Sequence, residues 1–221
     1  PFGTQLHDAS GSLTALRPGL SDARLLCYDY KNRVIGYVTV VTGETNAYSY
    51  DAFGRRLRKS SNLNPEENST FSYAGWQEIE ERSSVHRSFV HGFSIDELLI
   101  MRSDGTVTFY HQDDAFSVKT LSDDSGVVSV RYDYDDFGGP TSFDASGLPT
   151  PIIGRANRYL FTGRRFDANT GLYDYRRRFL EHLSGRFVSR DSLGTWADAR
   201  SLGNTFTYAA NNPGSFVDPF G

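Results

Sequence analysis

The chain has 221 residues, a formal net charge of −4, and 14% aromatic against 38% hydrophobic residues overall. That length fits one large domain or two small ones. The negative balance argues against a nucleic-acid-binding face over the whole chain, and the single cysteine, Cys27, excludes an internal disulfide framework and a Cys-based zinc site. No stretch of about 18 or more apolar residues is present to span a membrane as a helix. The chain opens on Pro1 and its one methionine is Met101, so we expect it to be a piece of a longer polypeptide; no leader-like stretch precedes the rest. Flat rings in place of Leu-rich stripes suit β-structure.

In chain order, a Tyr-Asp pair recurs before a turn signal. Tyr28-Asp29 precedes Lys31-Asn32-Arg33, Tyr50-Asp51 precedes Phe53-Gly54-Arg55, and Tyr134-Asp135 precedes Phe137-Gly138-Gly139. Degenerate copies are expected at Tyr73-Ala74-Gly75-Trp76 and Tyr110-His111-Gln112-Asp113, with a further one hidden near Val90-His91-Gly92. The tyrosines fall at 28, 50, 73, 110 and 134, and three of the four gaps are 22 to 24 residues, a period near 22 that is enough for two strands of about eight residues and two turns. Alternation places Tyr48 with Tyr50, Val38 with Val40, and Val128, Val130, Tyr132 and Tyr134 on shared faces. Thr42-Gly43, Ser103-Asp104-Gly105, Asp124-Ser125-Gly126 and Ala145-Ser146-Gly147 punctuate the runs. An Asp side chain can fold back on the following amides, and a glycine after it supplies a positive φ. The pattern predicts an all-β, antiparallel hairpin meander. No amphipathic helix is expected; Leu98–Arg102 is too short and too β-favouring.

Charge is uneven. Residues 155–190 hold nine arginines against Asp167, Asp174 and Glu181, and only Lys31, Lys59 and Lys119 are lysines. Arginine forks pair with carboxylates and stack on rings, so this segment is expected to lace strands together, with a cavity lining as the second reading. The acidic stretch Asn64–Ser69 reads as a solvated loop. The histidines show no paired metal spacing, and His111 beside Asp113 and Asp114 is more simply a hydrogen-bonded strand or turn residue than a cation ligand. Trp76 and Trp196 read as core or plug packing before binding hot spots. No cofactor and no metal are expected.

Tyr50-Asp51-Ala52-Phe53-Gly54-Arg55 resembles the tyrosine-aspartate (YD) repeat of the Rhs family, and its recurrence makes the resemblance specific. Asn157–Asp167, with Phe161-Thr162-Gly163-Arg164, resembles the entry to that family's core segment. Thr170-Gly171-Leu172-Tyr173, Gly185-Arg186-Phe187 and Arg190-Asp191 follow in the family's order, and Asn211-Asn212-Pro213 with Asp218-Pro219-Phe220-Gly221 resembles its close. The resemblance covers residues 25–221, and Pro1-Phe2-Gly3 resembles the tail of one more repeat. It implies a spiral β-shell, with residues 1–154 as wall and 155–221 as an irregular core or plug that closes one end. It further implies a C-terminal cargo polypeptide, a toxin or other effector, held inside, with the rest of the shell as partner. Homotypic or secretion-apparatus contacts would come besides, and the site would be secreted or at the cell surface. It also implies self-cleavage by an aspartyl-protease-like pair, here Asp191 and Asp218, with Arg190 orienting a carboxylate. Ser192 stands where the family usually has proline, and Trp196–Asn204 lengthens the interval between the two aspartates. Turn capping by both aspartates is the alternative to catalysis. An extracellular structural or adhesive scaffold without toxin delivery is the alternative function.

Overall fold

The computed structural model describes residues 5–16, 23–152, 157–191, 194 and 203–221. Pro1-Phe2-Gly3, Ser192 and Trp196 lie outside them. The structure is almost wholly antiparallel β. Fifteen strands, from β1 (Gln5–His7) to β15 (Pro149–Thr150), pair in sequence order, each with the strand before it and the strand after it. The expected meander is thus present, with strands of two to seven residues. They are shorter than the period alone suggests because the aspartate loops described next take five residues each. No helix among the described residues is long and apolar enough to cross a membrane.

The loops explain the Tyr-Asp signal. At Asp8, Asp29, Asp51, Asp113, Asp123, Asp135 and Asp144 one construction recurs. The Asp N–H donates to the carbonyl of residue i+4, whose own N–H returns to the Asp Oδ1, while the N–H of residue i+3 donates to the Asp carbonyl. Residue i+3 has positive φ every time. It is Gly11, Gly54, Gly126, Gly138 or Gly147 in five loops, Asn32 in one and Phe116, at +63°, in another. A side chain with Cβ is disfavoured there, which is why glycine dominates.

The tyrosine of each pair performs a second task. The hydroxyl of Tyr28 donates to Leu13 O at 2.6 Å, that of Tyr50 to Val34 O at 2.5 Å, and that of Tyr134 to Val118 O at 2.6 Å. Each acceptor is the residue just past the previous aspartate loop on the same side of the strip, so every tyrosine ties its repeat to the one before. Arg33 reinforces the tie by pairing with Asp29 at 2.6 Å while its guanidinium lies 4.6 Å from the Tyr50 ring centroid. Degenerate repeats keep the bond with other donors. His91 Nε2 donates to Glu78 O at 2.7 Å, and Gln112 Nε2 to Asp96 O at 3.1 Å. The copy expected at Tyr110 is therefore centred on Gln112-Asp113. Tyr110 is buried two residues earlier in the strand, and its hydroxyl donates to Asn157 Oδ1.

Burial follows the pleat. Val130 and Tyr132 are buried while Val127, Ser129, Arg131 and Asp133 are exposed. Val38 is half-buried and Val40 exposed, while Tyr37, just before them, is fully buried. His111 Nε2 lies 2.9 Å from Ser122 Oγ. Trp76 sits half-buried in the turn between β7 (Ser69–Ala74) and β8 (Gln77–Arg82). The Asn64–Ser69 stretch contains a short 3-10 turn, Pro65–Glu67.

Two compact units emerge, residues 1–70 with 175–221, and residues 71–174. In the second, the Phe161-Thr162-Gly163-Arg164 run has a physical account. Phe161 packs against Tyr134 and Tyr173, and a Cβ on Gly138 would meet its ring at 2.5 Å. Gly163 approaches the Asp96 carbonyl so closely that a Cβ would stand 2.4 Å from it, and Arg164 pairs with the Asp96 carboxylate. Arg165, on β16 (Arg165–Asp167), reaches Glu78 at 2.8 Å and Glu81 at 2.7 Å. In the first unit, Val188 O accepts from both Leu13 N and Tyr28 Oη at 2.9 Å, which joins the C-terminal segment to the strip.

Candidate functional site

The two aspartates singled out by sequence converge on one buried cation. Arg178 sits one residue before β18 (Phe179–Glu181), which pairs with β19 (Arg186–Phe187). That hairpin carries the chain back so that Asp191 comes beside Arg178, and the Asp191 N–H donates to Thr205 O at 3.1 Å. Arg178 Nη1 donates to the same Thr205 carbonyl at 2.7 Å. Its Nη2 lies 3.3 Å from Asp191 Oδ2 and 3.5 Å from Asp218 Oδ2. The guanidinium also stacks on Phe187, with Cζ 3.8 Å from the ring centroid. The Arg178 side chain is 5% exposed, against 23% for Asp191 and 28% for Asp218, so the cation is sealed while both carboxylates reach solvent.

Burial lowers the Arg178 pKa below its ordinary value, and the charges of Asp191 and Asp218 oppose the shift without cancelling it. The guanidinium remains charged at any ordinary pH. Asp218 is held at both ends. Its Oδ1 accepts the Gly221 N–H at 2.9 Å while Oδ2 faces Arg178. Two carboxylates thus flank one fixed cation at a site open to water.

Arg190 stands elsewhere. Its Nη1 donates to Ser10 O at 3.0 Å, and its side chain lies against Gly11. The arginine that joins the two aspartates is thus Arg178, which sequence reading placed among the strand-lacing arginines. Its signal was faint. It is the last member of an arginine run that ends where a β-strand begins, and nothing local separates it from Arg176 and Arg177.

No family model matches the chain. It is 34% identical over 180 residues, 79% of its length, to the tRNA3(Ser)-specific nuclease WapA of Bacillus spizizenii, of which it spans 7%. It is 24% identical over 246 aligned positions, 97% of its length, to double-stranded DNA deaminase toxin A of Burkholderia cenocepacia, of which it spans 16%. Among solved structures, TcdB2-TccC3 matches 97% of the chain with a TM-score of 0.74 at 18% identity, over 11% of that chain. The chain is thus similar in sequence to a small part of WapA, and it shares a β-sheet fold with part of TcdB2-TccC3.

Proposed function

We propose that this chain is a segment of a Rhs-type YD-repeat shell in a toxin-related protein. Residues 1–154 form wall and residues 155–221 the closing segment, which encloses a C-terminal polypeptide and releases it by self-cleavage. Two relatives of this stretch are named for different activities, a tRNA nuclease and a DNA deaminase, which supports a container in place of the active part. The fifteen-strand strip in sequence order supports a wall that grows by adding hairpins and leaves few edges once coiled. The protein would act outside the cell or at its surface, with its own shell and cargo as partners.

The observation that carries the self-cleavage reading is the convergence of Asp191 and Asp218 on Arg178. One carboxylate takes a proton from water as the oxygen attacks a peptide carbonyl. The other gives its proton to the nitrogen as the C–N bond breaks. Arg178 is the positioning residue, fixing both carboxylates on one nitrogen. The test uses the protein expressed from its complete open reading frame. Asp191→Asn and Asp218→Asn should each leave it as one band on a denaturing gel, where the parent runs as two. Unchanged processing in both variants overturns the reading. Encapsulation is tested separately: in the unprocessed variants the polypeptide beyond the wall should resist added protease until the wall is unfolded.

A further inference from the structure

Just before β18 the chain makes a tight turn, in which the Tyr175 N–H donates to the Arg178 carbonyl at 2.9 Å. The Arg177 N–H donates to the Tyr175 carbonyl at 2.8 Å, closing a three-residue turn around Arg176 at φ +69°. That geometry is strained for a residue with a side chain, and such strain persists only where neighbouring contacts hold it. Several contacts to it come from the Asp218–Gly221 segment. The Arg176 guanidinium donates to Pro219 O. Its Cζ lies 5.3 Å from the Phe220 ring centroid, and that of Arg177 lies 5.8 Å away. The Arg177 N–H also reaches Phe220 O at 3.3 Å. Phe220 is 36% exposed, so core burial does not account for its place; two cations over its ring do.

Gly221 is fixed by lack of room. Its φ is +71°, and a Cβ on it would stand 2.8 Å from Tyr175 O, 3.0 Å from Tyr175 Cβ and 3.2 Å from Arg178 N. Two of those three atoms are backbone and cannot swing aside. The Gly221 N–H in turn anchors Asp218 Oδ1, so any shift at 221 is felt at the carboxylate facing Arg178.

We propose that Arg176 and Arg177 form a clamp that recognises this chain's own Asp218–Gly221 segment, demanding an aromatic ring at 220 and glycine at 221. The clamp thereby sets which sequence the aspartate site acts on. This inference rests on the self-cleavage reading, and Arg176 and Arg177 are positioning residues in it. An aliphatic residue at 220 offers no quadrupole to the guanidiniums, and a lysine there repels them.

The protein from its complete open reading frame is the material for the test, with processing followed in time on denaturing gels. Phe220→Tyr should process at the parental rate. Phe220→Leu and the double variant Arg176→Gln/Arg177→Gln should each slow processing about three- to ten-fold. Arg176→Lys/Arg177→Lys should recover most of that loss. Gly221→Ala should slow it by more than about ten-fold. The pH profile should keep its shape in all of them, because no proton-transferring group has changed. Hydrogen exchange of residues 216–221, measured in the uncut Asp218→Asn background, gives a readout independent of chemistry. There Phe220→Leu and the double glutamine variant should exchange faster than Phe220→Tyr. If the aspartate variants stop cleavage while Phe220→Leu matches Phe220→Tyr in both rate and exchange, the clamp is overturned and the protease reading survives. If the aspartate variants cleave normally, the protease reading fails, and the clamp fails with it as a specificity device.

Discussion

Two buried arginines each face two carboxylates, and they are built to opposite ends. Arg165 meets Glu78 at 2.8 Å and Glu81 at 2.7 Å, with both glutamates sealed at 7% and 1% exposure. Arg178 meets Asp191 and Asp218 at 3.3 and 3.5 Å, with both carboxylates open to water. Burial acts to lower both guanidinium pKa values. At Arg165 the charges of Glu78 and Glu81 outweigh it and the pKa rises well above the ordinary value, whereas at Arg178 burial prevails. Short, dry contacts make the first cluster a structural joint. Longer contacts leave the carboxylates of the second open to solvent. An arginine between two carboxylates is thus sealed in one unit and open at its carboxylates in the other.

The comparison can be broken by deletion. Removing Arg165 takes a close cation from two buried glutamates, so Arg165→Ala should cost about 3–5 kcal/mol in urea unfolding of the unit spanning 71–174. Arg178→Ala leaves carboxylates that water can solvate, so its cost in the other unit should be smaller, about 1–2 kcal/mol. An equal loss in both would erase the distinction.

Acid should sharpen it. Burial acts to raise the Glu81 carboxyl pKa, but Arg165 and then Arg87 and Arg158 outweigh it and hold the pKa at about 2, below the ordinary value of 4.5. A carboxyl whose folded pKa is depressed stabilises the fold above its unfolded pKa, and that stabilisation is lost as pH falls through the folded one. The unit containing Glu81 should therefore lose stability steadily between about pH 5 and pH 2, tracked by hydrogen exchange of residues 77–91. In Glu81→Gln that part of the slope should vanish.

The smallest effect belongs to a single loop. Asp51→Ala frees the amides of Phe53 and Arg55 and the Arg55 side chain. The loop is exposed, so the loss should be about 0.5–2 kcal/mol, confined by exchange to residues 46–61. A loss as large as that at Arg165 would mean the repeats are not locally self-sufficient.

Much of this was legible in the sequence for a local reason. The aspartate loop spans five residues, so its demand for Asp at one end and positive φ at position i+3 is written within reach of itself. Tyr28-Asp29, Tyr50-Asp51 and Tyr134-Asp135 are visible on that account. Tyr110 misled because the donor that ties the repeat can be changed, and Gln112 had taken the part. The site divides the same way. Asp191 and Asp218 stood out through their motifs, but the arginine beside Asp191 in sequence is not the one beside it in space. Neighbours on an extended chain point to opposite sides, so Arg190 turns to Ser10 while a hairpin delivers Arg178 from 13 residues upstream. Sequence adjacency says little about partners that a strand pairing brings together.

Pairing every strand with the one just made has a kinetic meaning. Each new hairpin needs only the strand that left the ribosome before it, so the strip can form as a zipper from its first strand, with low contact order despite being all β. The aspartate loop closes each step locally before any long-range partner exists. A strip assembled this way can gain or lose a repeat without rewiring what is already built.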